Sequence, residues 1–312
     1  MNSSDYLTLA IIVALFTLFF GAGCSNSVST FDAYLKKKYQ RKGFSSDTLE
    51  TRGFNVHYWD NHKEDAPTLL FVHGFGGDGK VSWFKQAFDL HKDYRIVIPD
   101  LLWFGKSKSE KEPSLASQIK ALSLLIDSLN LEKVHLVGIS YGGFVSLGLA
   151  QRHPEKFNSL TIVDSPGTTV SDQDMEEFCR SVGAESIKDA FIPENKEEVK
   201  RLLNFSFYNP PALPGFVRKQ TLGSYFSRHP EKQAQLLDEL PENRNTMDNT
   251  VSIPTLILWG KEDKVFDVQL AKKLQEQLNA KLIVIEKAGH ALPGEKPKAF
   301  NQHLDSFVRS IN

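Results

Sequence analysis

The sequence predicts an α/β protein built on a doubly wound, mostly parallel sheet, with a helical segment inserted between two of its strands. Three observations predict it. Short, nearly continuous β-branched and aliphatic runs recur along the chain, and helical stretches with apolar spacings of three and four lie between most of them. One long interval, residues 167–253, holds no such run. Uninterrupted apolar runs suit strands buried on both faces, and strands alternating with helices pack as a parallel sheet covered on both sides. The 312 residues, 41% hydrophobic and 24% charged, are enough for one large core with a substantial insertion.

The first element is apolar. "YLTLAIIVALFTLFFGAGCSN" carries no charge from Tyr6 to Cys24. It is short for a comfortable membrane span and slightly long for the apolar core of a signal peptide. Its end, Gly21-Ala22-Gly23-Cys24, resembles the bacterial lipobox, whose cysteine is lipidated and becomes the new N-terminus. It departs from that pattern at Gly21, where leucine is usual, and in having Asp5 but no Lys or Arg before the run. Residues 1–24 therefore read as a signal peptide or membrane anchor. The expectation is a bacterial lipoprotein on the extracytoplasmic side, lipidated at Cys24; an uncleaved signal anchor and a plain secretory signal stay open.

Residues 25–48 read as a polar, basic connector. Lys36, Lys37, Lys38, Arg41 and Lys42 crowd together there, either as a solvated helix face or as an attraction to anionic lipid headgroups. Over the whole chain 37 basic residues balance 38 acidic ones, so no basic field points to nucleic acid. Of the two cysteines, Cys24 and Cys179, the second reads as a small buried side chain. No disulfide, metal, cofactor or obligatory protein partner is implied.

The core is expected from residues 49–166 and 254–312. "TLETRGFNVHYWDN" alternates like a strand pair at a sheet edge, and "TLLFVHG", "RIVIPD", "KVHLVGIS", "SLTIVDS", "TLILWGKED" and "KLIVIEKAGH" supply the buried strands. "SLASQIKALSLLIDSLN" and "VQLAKKLQEQLNA" read as covering helices. An interval as long as 167–253 cannot be a structureless loop in a compact domain, so it reads as a helical cap.

The chemistry centres on Gly138-Ile139-Ser140-Tyr141-Gly142, which follows one predicted strand and precedes a helix. Glycines two residues to either side let strand and helix approach closely, and the tight turn lifts the serine hydroxyl above the sheet. A serine hydroxyl needs a base, and a sheet of this kind supplies an acid and then a histidine at later strand ends. Of nine histidines, His290 is the one placed directly at the end of the last strand run. Asp263 ends the strand before it, with Glu262 beside it and Asp164 after an earlier strand as rivals for the acid. An oxyanion would find N–H donors at Tyr141, the first residue of the helix, and at Phe75 in "HGFGG". His73 reads as a structural brace for that loop.

"HGFGG", "PDLLWFGKS", "GISYGG", "WGKED" and "AGHALPGEKP" occur in the order and spacing of the α/β-hydrolase superfamily. From about Leu49 onward the chain resembles its capped lipase and esterase branch, which includes monoacylglycerol-lipase-like enzymes. The resemblance implies Ser140 as nucleophile, Asp263 as acid, His290 as base, and Phe75 and Tyr141 as oxyanion donors. It departs at Trp103, where many relatives have glycine, so the ring either narrows the acyl pocket or packs under the cap. A serine at position 140 disfavours the dehalogenase and epoxide-hydrolase reactions of this fold, which use an aspartate there. The expected activity is hydrolysis of carboxylic esters, lipids among them, at a membrane surface reached through the N-terminus. Carbon–carbon hydrolysis of ring-cleavage products and non-catalytic ligand binding are the alternatives. Phe191, Phe205, Phe207, Tyr208, Phe216, Tyr225 and Phe226 either line an acyl tunnel or only pack the cap onto the core.

Overall fold

The computed structural model describes residues 26–311. The apolar segment, and with it the expected lipidation of Cys24, lies outside the described residues. The chain enters through α1 (Ser27–Arg41), which starts where the Asn26 side chain accepts the N–H groups of Val28 and Ser29. Where a connector was expected, the described part, residues 26–48, holds a helix and the start of β1 (Ser45–Thr51). Leu35 and Tyr39 anchor α1, both fully buried, with the Tyr39 ring 5.0 Å from that of Trp59. Lys36, Lys37 and Arg41 face solvent.

β1 pairs antiparallel with β2 (Phe54–Asp60) at the sheet edge, as the alternating pattern predicts. Then follow β3 (Thr68–Val72), α2 (Gly79–Leu90), β4 (Arg95–Pro99), the two-residue β5 (Lys108–Ser109), α3 (Leu115–Ser128), β6 (Val134–Ile139), α4 (Tyr141–Arg152) and β7 (Phe157–Val163). The interval without strands forms six α-helices, α5 (Asp172–Val182), α6 (Ile187–Phe191), α7 (Lys196–Ser206), α8 (Gly215–Thr221), α9 (Pro230–Asp238) and α10 (Leu240–Thr246), and a π-helical turn, Leu222–Phe226, that continues α8. The chain returns through β8 (Thr255–Gly260), α11 (Val268–Leu278), β9 (Lys281–Ile285), α12 (Leu292–Glu295) and α13 (Pro297–Arg309).

The strands lie in the order β1-β2-β4-β3-β6-β7-β8-β9, with β5 on β2, and every pair from β4 to β9 is parallel. Alternation along each strand divides the core in two. Leu70, Val72, Leu136 and Ile257 join the cluster on one face, and Leu69, Phe71, Val137 and Leu258 the cluster on the other. This two-sided burial is why the strand runs read as uninterrupted apolar segments. Among the described residues no helix is long and apolar enough to cross a membrane.

One half-buried acid makes stability depend on pH. Asp78 caps α2, its side chain accepting the Val81 N–H at 2.7 Å. Desolvation, then the negative charge of Asp100, raises its pKa from 3.8 to about 7. The folded state therefore keeps a proton that the unfolded chain sheds above pH 3.8, and its stability falls as pH rises towards 7. Asparagine keeps the cap and removes the titration. Asp78→Asn is expected to show a smaller drop in Tm than wild type between about pH 5 and pH 8. Parallel Tm–pH curves would contradict this.

Candidate active site

Ser140 joins β6 to α4 with φ 52 and ψ −124, a conformation that L-residues hold only where surrounding structure enforces it. The enforcement is visible. The Ser140 N–H donates to Val163 O, and its carbonyl accepts the N–H groups of Gly143 and Phe144. A side chain at position 142 would strike the carbonyls of Val72 and His73; one at 138 would strike the Gly142 carbonyl and Ser146 Oγ. Strand and helix can approach this closely only because both positions are glycine.

The hydroxyl meets the residues expected from strand order. Asp263 Oδ1 accepts the N–H groups of Val265 (2.7 Å) and Phe266 (3.1 Å), which fixes the carboxylate. Its Oδ2 lies 2.8 Å from His290 Nδ1, so that nitrogen carries the proton. His290 Nε2 is then the acceptor for the Ser140 hydroxyl at 2.9 Å. All three come from turns at the C-terminal ends of parallel strands. Both rivals for the acid are engaged elsewhere. Glu262 Oε2 accepts the Ala288 N–H, and Asp164 Oδ1 accepts the Gly260 N–H at 2.7 Å. Burial, then the charge of Asp263, pushes the pKa of the Asp164 carboxyl well above the usual range.

Phe75 and Tyr141 come to the same spot. The loop after β3 runs against the serine, where a side chain on Gly74 would sit 3.2 Å from Ser140 Cβ, and the Phe75 and Tyr141 rings meet edge-on at 6.1 Å. Tyr141 opens α4, so its N–H has no partner within the helix and adds to the positive helix end. His73 is the expected brace. Its Nε2 accepts the Leu101 N–H at 2.9 Å, which places the proton on Nδ1, 2.7 Å from the Gly74 carbonyl. Burial lowers its pKa, keeping it neutral.

Beside Ser140 lies a chamber whose walls include Phe144, Val170, Met175, Phe191, Leu237 and Leu240. Of the seven aromatics singled out in the insertion, only Phe191 is among the lining residues. Phe205 packs on Phe178 and Phe191, Phe226 packs against Gly76, and Tyr208 and Phe216 reach solvent. Arg244 is the only charged side chain among the described lining residues, and it is ion-paired to Asp172. Trp103 does not line the chamber. It is buried in the core with φ 66, left-handed territory that glycine holds most easily, and its carbonyl accepts from Gln233 of α9.

Sequence reasoning missed Glu295. Its buried carboxylate accepts the N–H groups of Gly289 (2.7 Å), Tyr208 (3.1 Å) and Asn209 (3.1 Å). It stitches the residue before His290 to the loop after α7. Only its place five residues beyond His290, in an otherwise apolar turn, hinted at this.

The family model for the alpha/beta hydrolase fold matches residues 67–184 and 178–297. The chain belongs to the α/β-hydrolase family. This α/β hydrolase is 28% identical over 295 residues to Lipase 1 of Psychrobacter immobilis, covering 89% of each chain. It is 27% identical to monoacylglycerol lipase ABHD6 of Bos taurus, covering 79% of this hydrolase and 76% of the relative. Among solved structures it resembles a membrane phospholipase A described as a bacterial virulence factor. The TM-score is 0.78 at 25% identity, covering 98% and 97% of the two chains.

Proposed function

We propose that this α/β hydrolase cleaves carboxylic esters of fatty acids through an acyl-enzyme on Ser140. The observation that carries the proposal is the unbroken chain Asp263–His290–Ser140 opening onto an apolar chamber. Ser140 Oγ attacks the ester carbonyl carbon as its proton passes to His290 Nε2, and the new oxyanion takes the N–H groups of Phe75 and Tyr141. Collapse expels the alkoxide, which leaves as the alcohol with the proton from His290. Water, deprotonated by the same nitrogen, then attacks the acyl carbon, releasing the fatty acid and restoring Ser140. Asp263 stabilises the imidazolium through both half-reactions. None of these steps calls on a metal or cofactor.

The lipase and monoacylglycerol lipase relatives support an ester as substrate. The chamber lining favours an acyl chain over a ring-cleavage product, whose carboxylates need cations, because Arg244 is already paired with Asp172. We further propose that the enzyme acts at a membrane surface. The uncharged run from Tyr6 to Cys24 and the exposed lysines of α1 support this.

A fluorophosphonate probe tests both parts. The probe is expected to modify Ser140, located by peptide mapping, in the membrane fraction of expressing cells. An unlabelled serine would exclude the acyl-enzyme, and label confined to the soluble fraction would exclude the membrane site.

A further inference from the structure

The chamber does not end at a wall of the core. Met175 of α5, Ile187 of α6 and Leu237 of α9 line it, and the same three side chains line a second, more open cavity. Besides those three, the outer groove has Cys179, Ala184 and Pro241 as its buried or half-buried lining, the apolar floor, and seven exposed polar or charged residues, Glu176, Arg180 and Lys188 among them, as its rim. The two spaces are thus separated by one layer of side chains. Arg244 from the chamber and Asp172 from the groove close the layer with their ion pair.

We propose that Met175, Ile187 and Leu237 form a partition that sets the longest acyl chain the enzyme accepts, and that the apolar floor of the outer groove is a second acyl subsite behind it. The proposal rests on the acyl-ester reading of the site and specifies how that site measures its substrate. Each methylene that finds room in a dry chamber gains burial, and each that meets a packed layer loses it and forces side chains from their preferred rotamers. Acyl chains up to the partition gain with length; longer ones stop gaining. The partition consists of flexible or half-buried aliphatic groups from three short helices, with no core strand behind it. Removing a side chain therefore joins two existing spaces. A floor of small apolar residues under a charged rim suits a hydrocarbon tail that continues from the chamber, and suits a polar headgroup poorly.

The test compares nitrophenyl octanoate with nitrophenyl hexadecanoate in wild type, Met175→Ala and Ile187→Ala. The ratio of the two kcat/KM values is independent of how much of each variant folds. This ratio, long over short, is expected to rise about tenfold in either variant, the worth of one to two newly buried methylenes. Adding Ala184→Trp, which fills the groove and not the chamber, is expected to reverse the gain. A binding measurement needs no catalysis: anisotropy of a fluorescent hexadecanoic acid, competed by octanoic acid, on Ser140→Ala with and without Met175→Ala. Tighter binding of the long acid without ester hydrolysis in any protein would leave the partition standing and remove the esterase reading. Flat ratios in both alanine variants, or a gain that survives Ala184→Trp, would overturn the proposal.

Discussion

Ser140→Ala is expected to lower kcat/KM for a nitrophenyl ester by roughly three to six orders of magnitude, the range seen when one member of a cooperating triad is removed. The substitution deletes one oxygen and little else. The backbone bonds that hold the turn, from Ser140 N–H to Val163 O and from Gly143 and Phe144 to Ser140 O, do not involve the side chain. Alanine has the same Cβ as serine, so the strain at φ 52 is unchanged. Tm should stay within a few degrees of wild type, since about 1 kcal/mol moves a domain of this size by only 2–4 °C. Steady-state kinetics on purified protein, with Tm measured alongside, separates loss of chemistry from loss of fold. Activity within tenfold of wild type would place the nucleophile elsewhere.

Glu295→Gln is expected to cost about 2–4 kcal/mol of stability, and about tenfold or more in kcat/KM. A carboxylate offers acceptors on both oxygens, and here three backbone N–H groups converge on them. Glutamine has the same shape, but its amide nitrogen would point N–H at N–H in a buried place. Charge-assisted bonds are lost and at least one buried donor is left unmet. Activity falls with stability because one of the three donors, Gly289, directly precedes His290. Thermal melts and kcat/KM read the two effects. A variant with wild-type Tm would show the carboxylate to be dispensable.

The buried strands were legible because each is covered on both faces, and that leaves an uninterrupted apolar run in the sequence. Ser140, Asp263 and His290 were legible because strand order fixes where a side chain emerges. Other features were hidden for physical reasons. Helix α1 buries only Leu35, Tyr39 and Val28 among its polar residues, too sparse a stripe to stand out from a basic connector. The chamber lining comes from several short helices whose facing is set by tertiary packing. Large aromatics drew attention there, whereas Met175, Leu237 and Leu240 form the walls. Glu295 has the residue type of a solvated surface and the environment of a core, and only the fold reveals the three amides around it. Asp164 could not be ruled out as the acid until its carboxylate was found on the Gly260 amide.

The stitch at Glu295 also limits how substrate gets in. The loop after α7 is tied to the histidine turn twice, through Glu295 and through the Ala291 N–H on the Ser206 carbonyl at 2.9 Å. On another side of the insertion, Gln233 donates to the Trp103 carbonyl and the exposed Arg228 to the Gly105 carbonyl. The first seam runs through the histidine turn and the second does not. Were only the second to part, Gly289 and His290 would stay where they are and the base would stay aligned. Parting the first would carry the base away from the serine and stop turnover.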